Sequence, residues 1–138
     1  MFNIANFLTT GLKNTILFRN NSGMSFNGPW KQVYADTVLD RWHVGDFSAV
    51  EYTISADLDV SNKEIIKVLV SASVDTASVV VYARNHTVRN LITVSATVNS
   101  SYVDVVLNPA TTDPAGQNNG VKVIYTAQYF QTQNPLIL

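Results

Sequence analysis

Residues 50–58, VEYTISADL, decide the fold. Val50, Tyr52, Ile54, Ala56 and Leu58 are apolar, while Glu51, Thr53, Ser55 and Asp57 between them are polar. A repeat of two is that of a strand with one buried face, whereas a helix would align positions three and four apart. The pattern continues downstream. EIIKVLVSASV (64–74) places Ile66, Val68, Val70, Ala72 and Val74 on one face, and SVVVYAR (78–84) follows a turn at Asp75–Thr76. LITVSATV (91–98) aligns Ile92, Val94, Ala96 and Val98, and YVDVVL (102–107) aligns Val103, Val105 and Leu107. VKVIYTAQYF (121–130) aligns Val121, Val123, Tyr125, Ala127 and Tyr129. Upstream, NTILFR (14–19) and WKQVYADTVL (30–39) supply two further strands. Short β-branched and aromatic strands with polar turns predict an all-β fold, an antiparallel β-sandwich of jelly-roll or Greek-key type.

The first residues differ in kind. RNNSGMSFNGP (19–29) is a polar, glycine-bearing stretch that separates an apolar N-terminal piece from the sheet. Residues 1–29 are read as an N-terminal arm or edge strand plus loop, and residues 30–138 as the sandwich. Phe2, Ile4, Phe7, Leu8 and Leu12 make the arm apolar, so it must bury itself on its own sandwich or on a neighbouring subunit. The start of the chain has no basic n-region, and polar residues interrupt each apolar run, so neither a secretion signal nor a membrane anchor is expected.

Charged residues make up 14% of the 138, and Asn, Ser, Thr and Gln carry the polar balance. A surface of amides and hydroxyls suits packing against neighbours, because few charges must be desolvated. This predicts a homo-oligomer. Lys and Arg total 9 against 10 Asp and Glu, which leaves no basic field for nucleic acid or anionic membrane. With no cysteine, disulfides, thiolate metal sites and a Cys nucleophile are excluded.

Few residues invite a chemical reading. His43, close to Asp40 and Asp46, is one of two histidines; the ordinary reading is a turn histidine bonded to backbone or carboxylate. No nucleophile elbow, phosphate loop or dinucleotide fingerprint occurs. Asp57, Asp59, Ser61 and Glu64 offer oxygen ligands, but Asn62 stands where a calcium loop needs glycine, and a turn capped by its own Asp and Asn explains the same letters. The expectation is therefore no cofactor, no metal and no enzymatic activity. NPATTDPAGQNNG (108–120) reads as a protruding loop, with Asn108, Pro109, Asp113, Pro114, Gly116, Asn118 and Asn119 as candidate contacts.

The run Asp40–Arg41–Trp42–His43–Val44–Gly45–Asp46–Phe47, followed by KEIIKVLV, NLITVSATVNSSYVDVVLNP and VKVIYTAQYFQTQNP, resembles a module of virion structural proteins in marine T4-like tailed phages, best known from cyanophages. The resemblance covers about residues 39–135. It implies a virion location, with assembly in the host cytoplasm and other virion proteins as partners. It carries no catalytic residue over. Asp40, Arg41, Trp42, His43, Gly45 and Asp46 are expected to form a structural turn. In that turn Trp42 covers the open end of the sandwich, Gly45 takes a backbone angle closed to other residues, and Asp40, Arg41 and Asp46 pin the chain by charge-assisted hydrogen bonds. The leading expectation is a non-enzymatic tail-associated building block of the neck, baseplate or fibre attachment. The alternatives are a capsid decoration protein and a receptor- or glycan-binding module for the host surface.

Overall fold

The computed structural model describes residues 15–17, 22–26, 31–112, 116 and 118–132. The described residues form ten strands: β1 (Thr15–Leu17), β2 (Ser22–Phe26), β3 (Lys31–Val33), β4 (Thr37–His43), β5 (Phe47–Asp57), β6 (Lys63–Ala72), β7 (Ala77–His86), β8 (Ile92–Asn99), β9 (Tyr102–Pro109) and β10 (Val121–Gln131). The larger sheet runs β1-β2-β10-β5-β6-β7, with β3 also beside β10, and the smaller runs β4-β9-β8. Every pairing is antiparallel. The chain is thus an all-β, two-sheet antiparallel sandwich.

The alternation read from the sequence is the alternation of burial. Val50, Tyr52, Ile54, Ala56 and Leu58 of the β5 stretch are buried, as are Ile66, Val68 and Val70 of β6 and Val121, Val123, Ala127 and Tyr129 of β10. They meet Trp42, Ile92, Val103, Val105 and Leu107 of the smaller sheet in one core. Each fully buried aliphatic side chain contributes roughly 1.5–3 kcal/mol, which is what holds the two sheets face to face.

Three expectations are corrected. Val74 does not continue the buried face of β6: the strand ends at Ala72, and Ser73 N–H donates to the Thr76 carbonyl at 2.8 Å, closing a turn that leaves Val74 exposed. The polar stretch 19–29 is not wholly a loop, because Ser22–Phe26 pairs with β10 from Phe26↔Thr126 to Ser22↔Phe130. An open edge on β10 supplies hydrogen-bond partners that override the weak local preference of SGMSF. Asn108 and Pro109 are not loop residues either, since they end β9, where they pair with Thr93 and Ile92. The described residues at the two ends of the remaining segment are joined. Thr112 bridges Asn118, Asn119 N–H donates to the Thr111 carbonyl at 3.1 Å, and the Arg89 guanidinium donates to the Thr112 carbonyl.

Tyr102 is preceded by a two-residue hairpin turn. Ser100 and Ser101 take φ of 53° and 66°, the left-handed pair that a tight hairpin with the native strand twist requires. Neither is glycine, so the turn carries strain. The Ser101 carbonyl in turn accepts from Val44 N–H at 3.0 Å, which ties this hairpin to the β4–β5 connection.

Candidate functional site

The residues singled out around Trp42 lie at one end of the sandwich. The register of β4 against β9 shifts between Val38 and Asp40. Such a bulge re-aims the side chains that follow it. Asp40, Trp42 and Val44 share the inward parity as a result. The Asp40 carboxylate then accepts three hydrogen bonds: Tyr52 hydroxyl at 2.8 Å, Tyr129 hydroxyl at 2.7 Å and Arg41 N–H at 2.9 Å. Trp42 Nε1–H donates to the Tyr52 hydroxyl at 3.0 Å. Asp40 and Trp42 from the smaller sheet are thereby joined to Tyr52 on β5 and Tyr129 on β10 of the larger. Burial pushes the Asp40 carboxyl above its usual range, and the hydrogen bonds from Tyr129, Tyr52 and Arg41 oppose the shift. Burial, aided by the Asp40 charge, holds Tyr52 well above a free phenol.

The expected turn is corrected in its membership and its causes. Asp40, Arg41, Trp42 and His43 belong to β4, and the turn proper is Val44, Gly45 and Asp46. Asp40 points into the core instead of pinning the turn. Arg41 donates through Nε and Nη2 to the two carboxylate oxygens of Asp104, across the strand pair, and holds that carboxyl below its usual range. Trp42 is buried at 5% exposure in the core between the sheets. The turn is closed by Asp46 N–H donating to the His43 carbonyl at 3.0 Å and Gly45 N–H donating to His43 Nδ1 at 2.9 Å. Thr132 completes it, its hydroxyl donating to the Val44 carbonyl at 2.7 Å and its N–H to the Asp46 carbonyl at 3.1 Å. Gly45 is required by proximity and not by backbone angle, because a Cβ there would lie 2.8 Å from His43 Nδ1. His43 is a turn histidine in this arrangement, with its ring edge-on to Tyr102 at 4.9 Å.

A second buried cluster escaped the sequence reading. Glu64 on β6 is 3% exposed. Its Oε1 accepts from the N–H groups of Leu91 at 2.9 Å and Ile92 at 3.0 Å, and its Oε2 from Arg84 Nη1 at 2.6 Å. Arg84 Nη1 also donates to the Ile92 carbonyl at 3.2 Å. This carboxylate clasps the crossing from β7 in one sheet to β8 in the other. The signal was present, since Glu64 shares the parity of Ile66 and Val68. The oxygen-rich turn beside it does not converge. The Asp59 carboxylate accepts from Ser61 N–H, Asn62 N–H and Asn62 Nδ2 at 2.8–2.9 Å, Asp57 pairs with Lys63 at 2.9 Å, and Glu64 turns inward. Among the described residues no group of three acids or histidines is placed to hold a metal.

Of the candidate contact loop, Gly116, Asn118 and Asn119 are exposed, and Asp113 and Pro114 lie outside the described residues. Phe2, Ile4, Phe7, Leu8 and Leu12 of the expected arm also lie outside them. Among the described residues no helix is long and apolar enough to cross a membrane.

No family model and no curated protein matches the chain. Solved structures do. The tailspike protein of Acinetobacter baumannii phage AM24 aligns with a TM-score of 0.53 and 8% identity over 85% of this chain and 27% of that one. The tailspike of Acinetobacter baumannii bacteriophage Fri1, described as a capsular polysaccharide depolymerase, aligns with a TM-score of 0.49 and 10% identity over 96% of this chain and 22% of that one. The tailspike of Acinetobacter phage vB_ApiP_P1 aligns with a TM-score of 0.33 and 12% identity over 89% and 23%. The chain therefore spans about a quarter of the tailspikes it matches. At these identities the likeness is one of fold, and the AM24 alignment carries it.

The expectation of a chain without enzymatic activity is corrected at this point. It was drawn from missing motifs. The AM24 alignment places this chain against 27% of a longer phage tailspike, so the chain answers to only part of such a protein. Missing motifs give no ground for the exclusion when the compared tailspike is about three times as long.

Proposed function

We propose that the chain is a β-sandwich module of a tailed-phage tail, built into the apparatus that meets the host surface. It assembles there with other virion proteins and with copies of itself, and contacts host-surface glycan or receptor. The observation that carries this reading is the fold shared with the AM24 tailspike over 85% of the chain. The resemblance of residues 39–135 to particle proteins of T4-like marine phages points to the same kind of particle. The low charge fraction of 14% fits a protein with much of its surface covered by neighbours. The contact residues assigned by this reading are those of the 108–120 segment, in which Thr112 is bonded to Arg89 and bridged to Asn118, and Gly116, Asn118 and Asn119 are exposed.

Cryo-electron microscopy of intact particles, with the chain located by Fab labelling, tests the placement. Label on the tail or its fibres is expected. Label on the icosahedral shell would overturn the reading in favour of capsid decoration. Binding of purified protein to host cells and to their capsular polysaccharide, with release of reducing ends followed in parallel, tests the contact with glycan. Absence of binding to either would remove the receptor half of the proposal.

A further inference from the structure

The larger sheet buries one face against the smaller sheet and leaves the other uncovered among the described residues. On that outer face Ile65, Leu69, Val80 and Ile124 are 44–52% exposed, and Tyr82 is 47% exposed. The registers make this a contiguous surface. Ile124 lies beside Ser55 and Ser55 beside Ile65, while Glu51 lies beside Leu69 and Leu69 beside Val80. At its centre, on the two middle strands, Lys67 Nζ sits 3.9 Å from Glu51 Oε1. Tyr82, on β7, shares this outer face. The bulge between β6 and β7 at Lys67/Val68 aims it there.

We propose that this face is the docking surface for the same face of a second copy of the chain. Three features select that occupant. The four strands β10, β5, β6 and β7 have ten or eleven residues each. At ordinary spacings they offer a face of roughly 19 Å by 33 Å. Its area of about 630 Å² approaches the roughly 800 Å² per partner of a stable interface. The aliphatic side chains suit a dry protein contact better than a hydrated ligand. The central charges are one acid and one base. A twofold axis between them sets the carboxylate of each copy against the ammonium of the other, which satisfies both charges without any third group. The inference stands apart from the placement of the chain on a particle.

The test uses the full chain and two charge variants, Glu51→Lys and Lys67→Glu. Sedimentation velocity over a thousandfold concentration range should show reversible self-association of the parent chain. Each variant alone places like charges at the centre, and its association should weaken at least tenfold. An equimolar mixture of the two should associate again, because each supplies the charge the other lacks. Lys67 is exposed and Glu51 half-buried on the outer face, and unchanged circular dichroism confirms that the fold is kept. A parent chain that stays monomeric throughout overturns the proposal, as does a mixture no stronger than the separate variants. Hydrogen exchange protection of β5–β7 by capsular polysaccharide, with no protection on raising protein concentration, would overturn it in favour of a glycan surface.

Discussion

Replacing Glu64 by Gln changes one atom in the core and should cost about as much as deleting a large side chain. The Glu64 carboxylate is fully withdrawn from solvent, and Arg84 retains 24% side-chain exposure. In the Gln variant the amide oxygen occupies the Oε1 position and keeps the bonds from Leu91 and Ile92, now as neutral bonds of about 1 kcal/mol in place of charged ones of about 1.5–3 kcal/mol. The amide nitrogen then faces Arg84 Nη1, donor against donor, and the guanidinium keeps only the Ile92 carbonyl from this cluster. Breaking a buried pair by removing one charge costs about 3–5 kcal/mol. The partial exposure of Arg84 sets the expectation at the lower end, about 3 kcal/mol. A domain of this size has roughly 5–15 kcal/mol of stability in total. The variant should fold with a much lower urea midpoint and an unchanged slope. Adding Arg84→Met removes the stranded cation, so the double variant should recover on the order of 1–3 kcal/mol relative to the sum of the single changes. Equilibrium unfolding of the four proteins measures this directly. A Glu64→Gln cost below about 1 kcal/mol, or strict additivity with Arg84→Met, would refute the account of the clasp.

Three further outcomes are expected. Because burial raises the Asp40 pKa in the folded chain, the protonated form is favoured on folding. The stability this contributes is full below the unfolded carboxyl value and is lost as pH rises through the folded one. Asp40→Asn removes that dependence, so its stability relative to the parent should improve from pH 3 to pH 7 in parallel urea titrations; a gap that moves the other way contradicts the assignment. Trp42→Ala should cost about 3–5 kcal/mol by denaturant unfolding, since the ring is buried and its N–H is bonded to Tyr52; a loss within error would mean that the indole is not packed as described. Replacing Ser100–Ser101 by Asn–Gly, the pair suited to a left-handed two-residue turn, should raise stability by about 0.5–2 kcal/mol, read as a rise in the thermal midpoint.

The sandwich was legible because its strands bury one face each. In residues 50–58 every apolar letter is a core position, and the period alone sets the register. The polar clusters were harder, for reasons that can be located. Arg84 reaches the core only because the bulge between β6 and β7 shifts the parity of β7 after Val81, and alternation carried through SVVVYAR would count it on the outer face. Asp40 is hidden in the same way by the bulge at Val38/Asp40. Its partners Tyr52 and Tyr129 lie 12 and 89 residues away, beyond the reach of local spacing. Glu64 was readable by parity, although a carboxylate in a row of valines and isoleucines makes sense only once Arg84 and two free N–H groups are known to meet it. Strands β1 and β2 carry little alternation and exist through pairing, β2 with β10 and β1 with β2.

The last strand in sequence order occupies an interior place in the larger sheet, between β5 on one side and β2 and β3 on the other. During synthesis this imposes an order of events. The β5–β6–β7 meander can form as soon as it emerges, but β5 then presents a full row of unpaired backbone groups, and β2 and β3 lack their permanent neighbour until residues 121–131 are made. A nascent chain in that condition is an open template for any matching strand, and the best match in the cell is β10 of another copy. Crowding on one messenger therefore favours exchange of β10 between chains, and the interval between making residue 57 and residue 131 is the window in which exchange can occur.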